Sequence, residues 1–168
     1  MYAKLEHPIA ENLKRLNITL INPPAPAASY VSYTYHSRTG LLIVAGQAPV
    51  NDEGKIAFVG CAGRELEVSQ VQEATRLCAI NILKQLYTAC LHDWKNFEMC
   101  LEVQGFIRSS ENFSKQPECL NGCSDLFVEV LGEYGRHARS VAGVSELRGG
   151  AVAIVTAKFM LVPGLLQD

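Results

Sequence analysis

No run of five to eight basic residues occurs in this chain, so the cationic stripe that tracks a nucleic-acid backbone is missing. Acidic side chains slightly outnumber basic ones, and the formal net charge is -2. No apolar stretch approaches the roughly 20 residues that cross a bilayer. The opening residues, Met1 to Glu6, lack the apolar core of a secretory leader. Cysteines are present at 61, 78, 90, 100, 119 and 123, but none are spaced Cys-x-x-Cys and no His pair has zinc-finger spacing. Cys78 and Cys90 fall in a helical pattern, Cys100 falls in a strand pattern, and Cys119 and Cys123 are four apart on an expected helix. Buried free thiols are therefore expected, with no disulfide, no metal and no cofactor, in the reducing cytoplasm. The sequence leaves an organellar address open.

What is present is a core. Hydrophobic residues make up 48% of the 168 and charged residues 19%, the balance of an ordinary globular chain of one domain, 1–168. Leu5, Ile9, Leu13 and Leu16 predict an amphipathic helix over 4–16, and Ile18 to Ile21 a short edge strand. Three prolines among residues 23–26 make the next segment an extended linker. Alternation in Tyr30 to Tyr35, a turn at Ser37 to Gly40 and the apolar run Leu41 to Ala45 predict a hairpin. Gly46 ends it, either as a bulge or to admit another backbone or a ligand. From Gly63 the period becomes helical, with Val68, Val71, Cys78, Ala79, Ile82 and Leu86 on one face to about Ala89. Phe97, Met99, Leu101, Val103 and Ile107 alternate with polar residues as a half-buried strand. Leu120, Phe127, Val130, Leu131 and Tyr134 mark a second helix, followed by a hairpin of a strand from Val141 and one over 151–161. The fold class expected is α+β: a mixed or antiparallel sheet with two helices packed on one face.

The stretch Gly135 to Val144 stands out. Gly135 is the expected helix stop, so Arg139 lies at a helix-to-strand junction. A guanidinium held there suits the two-pronged grip of a carboxylate or phosphate. The plainer alternative has Arg136 and Arg139 as surface arginines paired with Glu129 or Glu133.

These residues carry a family resemblance. The segments Ala28-Ser29-Tyr30-Val31, Leu42 to Val50 with Gly46 at its centre, the helix after Gly63, and His137-Ala138-Arg139-Ser140 resemble the RidA/YjgF family, also called endoribonuclease L-PSP or translation-initiation-inhibitor-like proteins. Ser124 to Val130, read together with Gly135 to Ser140, is similar to a YjgF-like branch distinct from the archetypal RidA deaminases. The resemblance spans about residues 17–163, with 1–16 as an N-terminal helical extension. It implies a chorismate-mutase-like fold, a homotrimer and ligand clefts between subunits. It further implies that Arg139 binds a substrate carboxylate, while Tyr30 and the backbone at Gly46 and Val141 line the pocket. The archetypal members hydrolyse enamine/imines such as 2-aminoacrylate to 2-keto acids and ammonia.

The chain departs from that pattern at one position. The family's water-orienting Glu would fall near Ile154, and residues 151–158 contain no carboxylate; Thr156 is the neutral polar group there. A hydroxyl of ordinary pKa is a poor general base. Val141 stands where the family has Cys. Three functions follow as expectations: an imine deaminase, a non-catalytic binder of 2-keto acids or similar metabolites, and an endoribonuclease or translation inhibitor. His137 beside Arg139 keeps the last in view, while the charge balance opposes it. A small carboxylate is the expected partner, with no membrane and no nucleic acid.

Overall fold

The computed structural model describes residues 8–165. Helix α1 (Ile9–Arg15) buries Ile9 and Leu13; the start of the expected 4–16 helix lies outside the described residues. Two strands, β1 (Tyr33–His36) and β2 (Leu41–Gln47), form the first hairpin. Helix α2 (Val68–Ala89), strand β3 (Phe97–Arg108), helix α3 (Gln116–Leu131), and strands β4 (Ala138–Val144) and β5 (Ala153–Leu161) follow. They build one five-stranded sheet in the order β1-β2-β5-β3-β4, parallel only between β3 and β4. Helices α2 and α3 pack on each other and on one face of it. The α+β reading stands. Among the described residues no helix is long and apolar enough to cross a membrane.

Several local expectations are corrected. Residues 18–21 form no strand, because Asn17 and Asn22 at either end adopt left-handed backbone (φ 55° and 51°) that breaks extended pairing. Helix α2 starts at Val68, not near Gly63. Cys61 O accepts the N–H groups of Arg64, Glu65 and Leu66 in a tight loop, and the helix opens on a reciprocal cap between Glu67 and Gln70. Gly132, at φ 64°, closes α3 in place of Gly135. The last two strands are not a hairpin, since β3 lies between β4 and β5.

Along β3, register shifts at 97/99 and 100/102 break the simple alternation. Phe97, Cys100, Val103 and Ile107 turn to the helices, while Met99 turns away. Strand β1 begins at Tyr33 rather than Tyr30; Tyr33 lies opposite Val44 and packs against the core, and Val31 precedes the strand. Across the core, Gly122 of α3 meets the Gln72 carbonyl of α2 where a Cβ would stand, so the helices touch backbone to backbone. Gly135 is needed for the same reason: its missing Cβ makes room for the carbonyl of Phe127.

Among the described residues no helix covers the sheet's other face. Ile43, Met99 and Phe106 lie there with 40%, 43% and 38% of their surfaces exposed, beside Ile154 and Met160 of β5. Among these apolar groups Lys158 Nζ meets Glu102 Oε2 at 2.6 Å, and Gln104 donates to Glu102 Oε1 at 3.1 Å. The Lys158 hydrogen bond holds the Glu102 carboxyl below its ordinary range.

Candidate functional site

Strand β4 is a sheet edge, and its parallel register sets Arg139 opposite Val103 and Val141 opposite Gly105. Val103 points to the helices, so Arg139 leans toward α3. Its Nη1 donates to Ser124 Oγ at 3.1 Å and its Nη2 to the Pro117 carbonyl at 3.2 Å. Both acceptors are neutral. The plainer sequence alternative holds for Arg136, whose Nε meets Glu133 at 2.7 Å, but not for Arg139. Glu129 is taken by Arg76 of α2 at 3.0 Å. Among the described residues Arg139 has no carboxylate partner, and its remaining N–H groups stay available.

His137 completes a cluster at the same edge. Its Nδ1 lies 2.6 Å from Gly135 O, and its Nε2 lies 3.0 Å from Ser124 Oγ. A carbonyl only accepts, so Nδ1 carries the proton. In the neutral ring Nε2 is then the acceptor, and the Ser124 hydroxyl donates to it. Burial lowers the His137 pKa from its ordinary value, and the nearby Arg139 cation lowers it further; the Gly135 carbonyl opposes them. The lowered pKa favours the neutral ring at pH 7. Phe127 stacks edge-on against it at 5.8 Å.

Tyr30 and Gly46 belong to a different place. They line a cleft of about 360 Å³ between residues 22–30, the end of β2, the 50–54 turn and α2. Gly46 lies within a bulge between Val44 and Gln47, and a Cβ there would press on Ile154 at 2.8 Å. Tyr30 is about half exposed, and its hydroxyl accepts the Ala27 N–H at 3.2 Å. Thr156 lies one strand over, its hydroxyl donating to the Val44 carbonyl at 2.6 Å. Lys84, only 6% exposed, reaches into the cleft and pairs with the exposed Asp52 at 2.8 Å. That hydrogen bond lowers the Asp52 pKa.

Two strands separate β2 from β4, a gap of about 14 Å at the usual strand spacing. The protomer thus brings Tyr30 and Gly46 together, and separately Arg139, His137 and Val141. The residue motifs did not assign functions to Ser124, Pro117, Lys84 and Asp52. Ser124 appears in the sequence only as part of a similarity, because its contact with His137 depends on how α3 crosses β4. Among the described residues no cluster of three or more His, Cys, Asp or Glu could hold a metal.

Comparison with known proteins places this geometry. A model of the "YjgF/chorismate mutase-like, putative endoribonuclease" family matches residues 14–156. Protein TCP17 of Trypanosoma cruzi is 40% identical over 150 residues, covering 89% of this chain and 91% of its own length. The crystal structure of Atu1372 from Agrobacterium tumefaciens, a protein of unknown function, superimposes with a TM-score of 0.81 at 37% identity over 92% of this chain and 94% of that one. A "putative endoribonuclease" from Shewanella oneidensis gives 0.85 at 25% identity over 91% and 99% of the two chains.

Proposed function

Because the chain belongs to the YjgF/chorismate-mutase-like family, we propose that it binds small 2-keto or 2-imino carboxylates in clefts between the subunits of a homotrimer, with Arg139 gripping the carboxylate. The observation that carries this reading is the state of Arg139. An arginine anchored by two neutral oxygens keeps its full charge and the rest of its donor fork for an incoming anion. A structural ion pair would have quenched both.

The trimer gives the two separated groups a way to meet. The uncovered sheet face carries Ile43, Met99 and Phe106, an apolar surface of the kind that a second copy covers. In such an assembly Arg139 and Val141 on one subunit's edge strand face Tyr30 and Gly46 of the next. Hydrolysis of an imine to a 2-keto acid and ammonia is the activity that fits this ligand class. A pure binder is the second reading, favoured by the absence of a carboxylate from residues 151–158.

The endoribonuclease label of the relatives finds less support here. Phosphate tracking needs unpaired cations in a row, whereas Arg76, Arg136 and Lys158 are all paired with carboxylates. Titration with 2-oxobutyrate, ammonia release from enzymatically generated 2-aminoacrylate and cleavage of a labelled RNA, run on one preparation, separate the three. Saturable 2-oxobutyrate binding supports the proposal. RNA cleavage without such binding overturns it.

A further inference from the structure

We propose that Ser124 and His137 are the proton relay of the Arg139 site: Ser124 holds the attacking water, and His137 receives its proton through the Ser124 hydroxyl. This rests on the carboxylate reading of Arg139 and supplies the base that residues 151–158 lack. Thr156 cannot serve, because its hydroxyl proton is committed to the Val44 carbonyl at 2.6 Å.

The geometry fixes the direction of the relay. Gly135 O holds the proton of His137 on Nδ1, so Nε2 offers a lone pair. The Ser124 hydroxyl donates into that lone pair at 3.0 Å and accepts from Arg139 Nη1 at 3.1 Å. One lone pair of Ser124 Oγ is then left for a water. In a 2-imino acid the imine carbon is bonded directly to the carboxylate carbon. A carboxylate docked on Arg139 therefore brings the carbon under attack beside that water.

The proton and bond changes balance without any further reactant. Water oxygen bonds to the carbon of the iminium ion. One water proton passes to Ser124 Oγ as the Ser124 proton passes to His137 Nε2, leaving a neutral carbinolamine. His137 then protonates the amino group. The C–N bond breaks toward nitrogen, and the hydroxyl proton returns along the same path as the carbonyl forms. Ammonia takes that proton and leaves as ammonium.

Charge couples binding to the relay. Arg139 is the charged group that acts on His137. From α3 the ring meets Ser124 and Phe127. The buried Cys123 thiol is held neutral, and Glu133 is committed to Arg136. An anion on Arg139 offsets the cation that depresses the proton affinity of His137. Docking of the carboxylate thus makes His137 a better base when it is needed.

His137→Gln tests this, because the amide still accepts from Ser124 but takes no proton. Ammonia release from 2-aminoacrylate, above the uncatalysed rate, is expected to lose about 10²-fold or more in kcat. The 2-oxobutyrate Kd is expected to stay within about threefold. The wild-type rate should fall as pH drops below about 6.5, and the His137→Gln rate should be flat there. Imidazole should restore part of the rate to His137→Ala. Ser124→Ala gives a second variant, with the same loss expected, should the histidine variants fail to fold. Wild type that binds 2-oxobutyrate but releases no ammonia overturns the relay and leaves the carboxylate reading standing. So does His137→Gln with full activity and an unchanged pH profile. Absence of 2-oxobutyrate binding removes the carboxylate reading and the relay with it.

Discussion

Arg76 of α2 holds the carboxylate of Glu129 at 3.0 Å, while Arg139 of β4 donates to the neutral oxygens of Ser124 and Pro117. Glu129 and Glu133 are the acids that the sequence offers to Arg136 and Arg139; Arg76 takes the first and Arg136 the second. As an exposed pair, Arg76–Glu129 contributes at most about 1 kcal/mol to stability. Arg139 is left with the Ser124 hydroxyl and the Pro117 carbonyl, which orient its guanidinium without neutralising it.

The uncovered sheet face gives the first prediction. Phe106 is 38% exposed in the protomer, so Phe106→Glu should cost the isolated fold little. In the proposed trimer the same change buries a charge at a subunit contact. Light scattering should give three times the 18.4 kDa protomer for wild type and a protomer-sized species for Phe106→Glu. A wild-type monomer at micromolar concentration would contradict the assembly.

His137 gives a stability signature. Its pKa is lower in the folded protein than the ordinary 6.5, so the unfolded chain binds the proton more readily. The stability it contributes is fully present above about pH 6.5 and is lost as pH falls toward the folded value. Thermal melts should therefore decline below about pH 6.5, less steeply in His137→Gln. Equal slopes in the two proteins would show that another group governs the decline.

The thiols should be silent in the native state. All six cysteines are free and buried, and burial pushes Cys90 and Cys100 up to about 12 and Cys119 to about 11. A thiol-reactive dye at pH 8 should label none of them within minutes and all six after denaturation. Rapid labelling of Cys78 or Cys123, the deepest of the set, would mean that the α2–α3 layer opens.

Gly122 should be intolerant of a side chain. An added Cβ meets the Gln72 carbonyl and Thr75 Oγ1, backbone and buried hydroxyl that have little room to move. Gly122→Ala is expected to cost about 1–3 kcal/mol in denaturant unfolding. A neutral result would show that the two helices separate without cost.

Much of the layer structure was legible in the residues. The apolar face of α2 reads directly from its 3.6-residue period, and Val71, Cys78, Ala79, Ile82 and Leu86 are all buried. The resemblance carried the family. Strand order was not legible: adjacency of β4 and β5 in sequence suggests a hairpin, and only long-range pairing inserts β3 between them. The facing of β3 failed for a local reason, since one register shift exchanges the two sides of a strand. Arg139 could be singled out from its junction. Ser124 could not be assigned its role, because a serine in the middle of a helix has no signature until the histidine 13 residues later folds back onto it.

The most direct test of the central claim is calorimetric titration of wild type and Arg139→Ala with 2-oxobutyrate, with thermal melts and light scattering alongside. A charge-assisted hydrogen bond to the carboxylate contributes about 1.5–3 kcal/mol. The account predicts at least about a tenfold rise in Kd for a mutant that still folds and assembles like wild type. A well-folded Arg139→Ala that binds 2-oxobutyrate with wild-type affinity would contradict it and leave Arg139 as a clasp between β4 and α3.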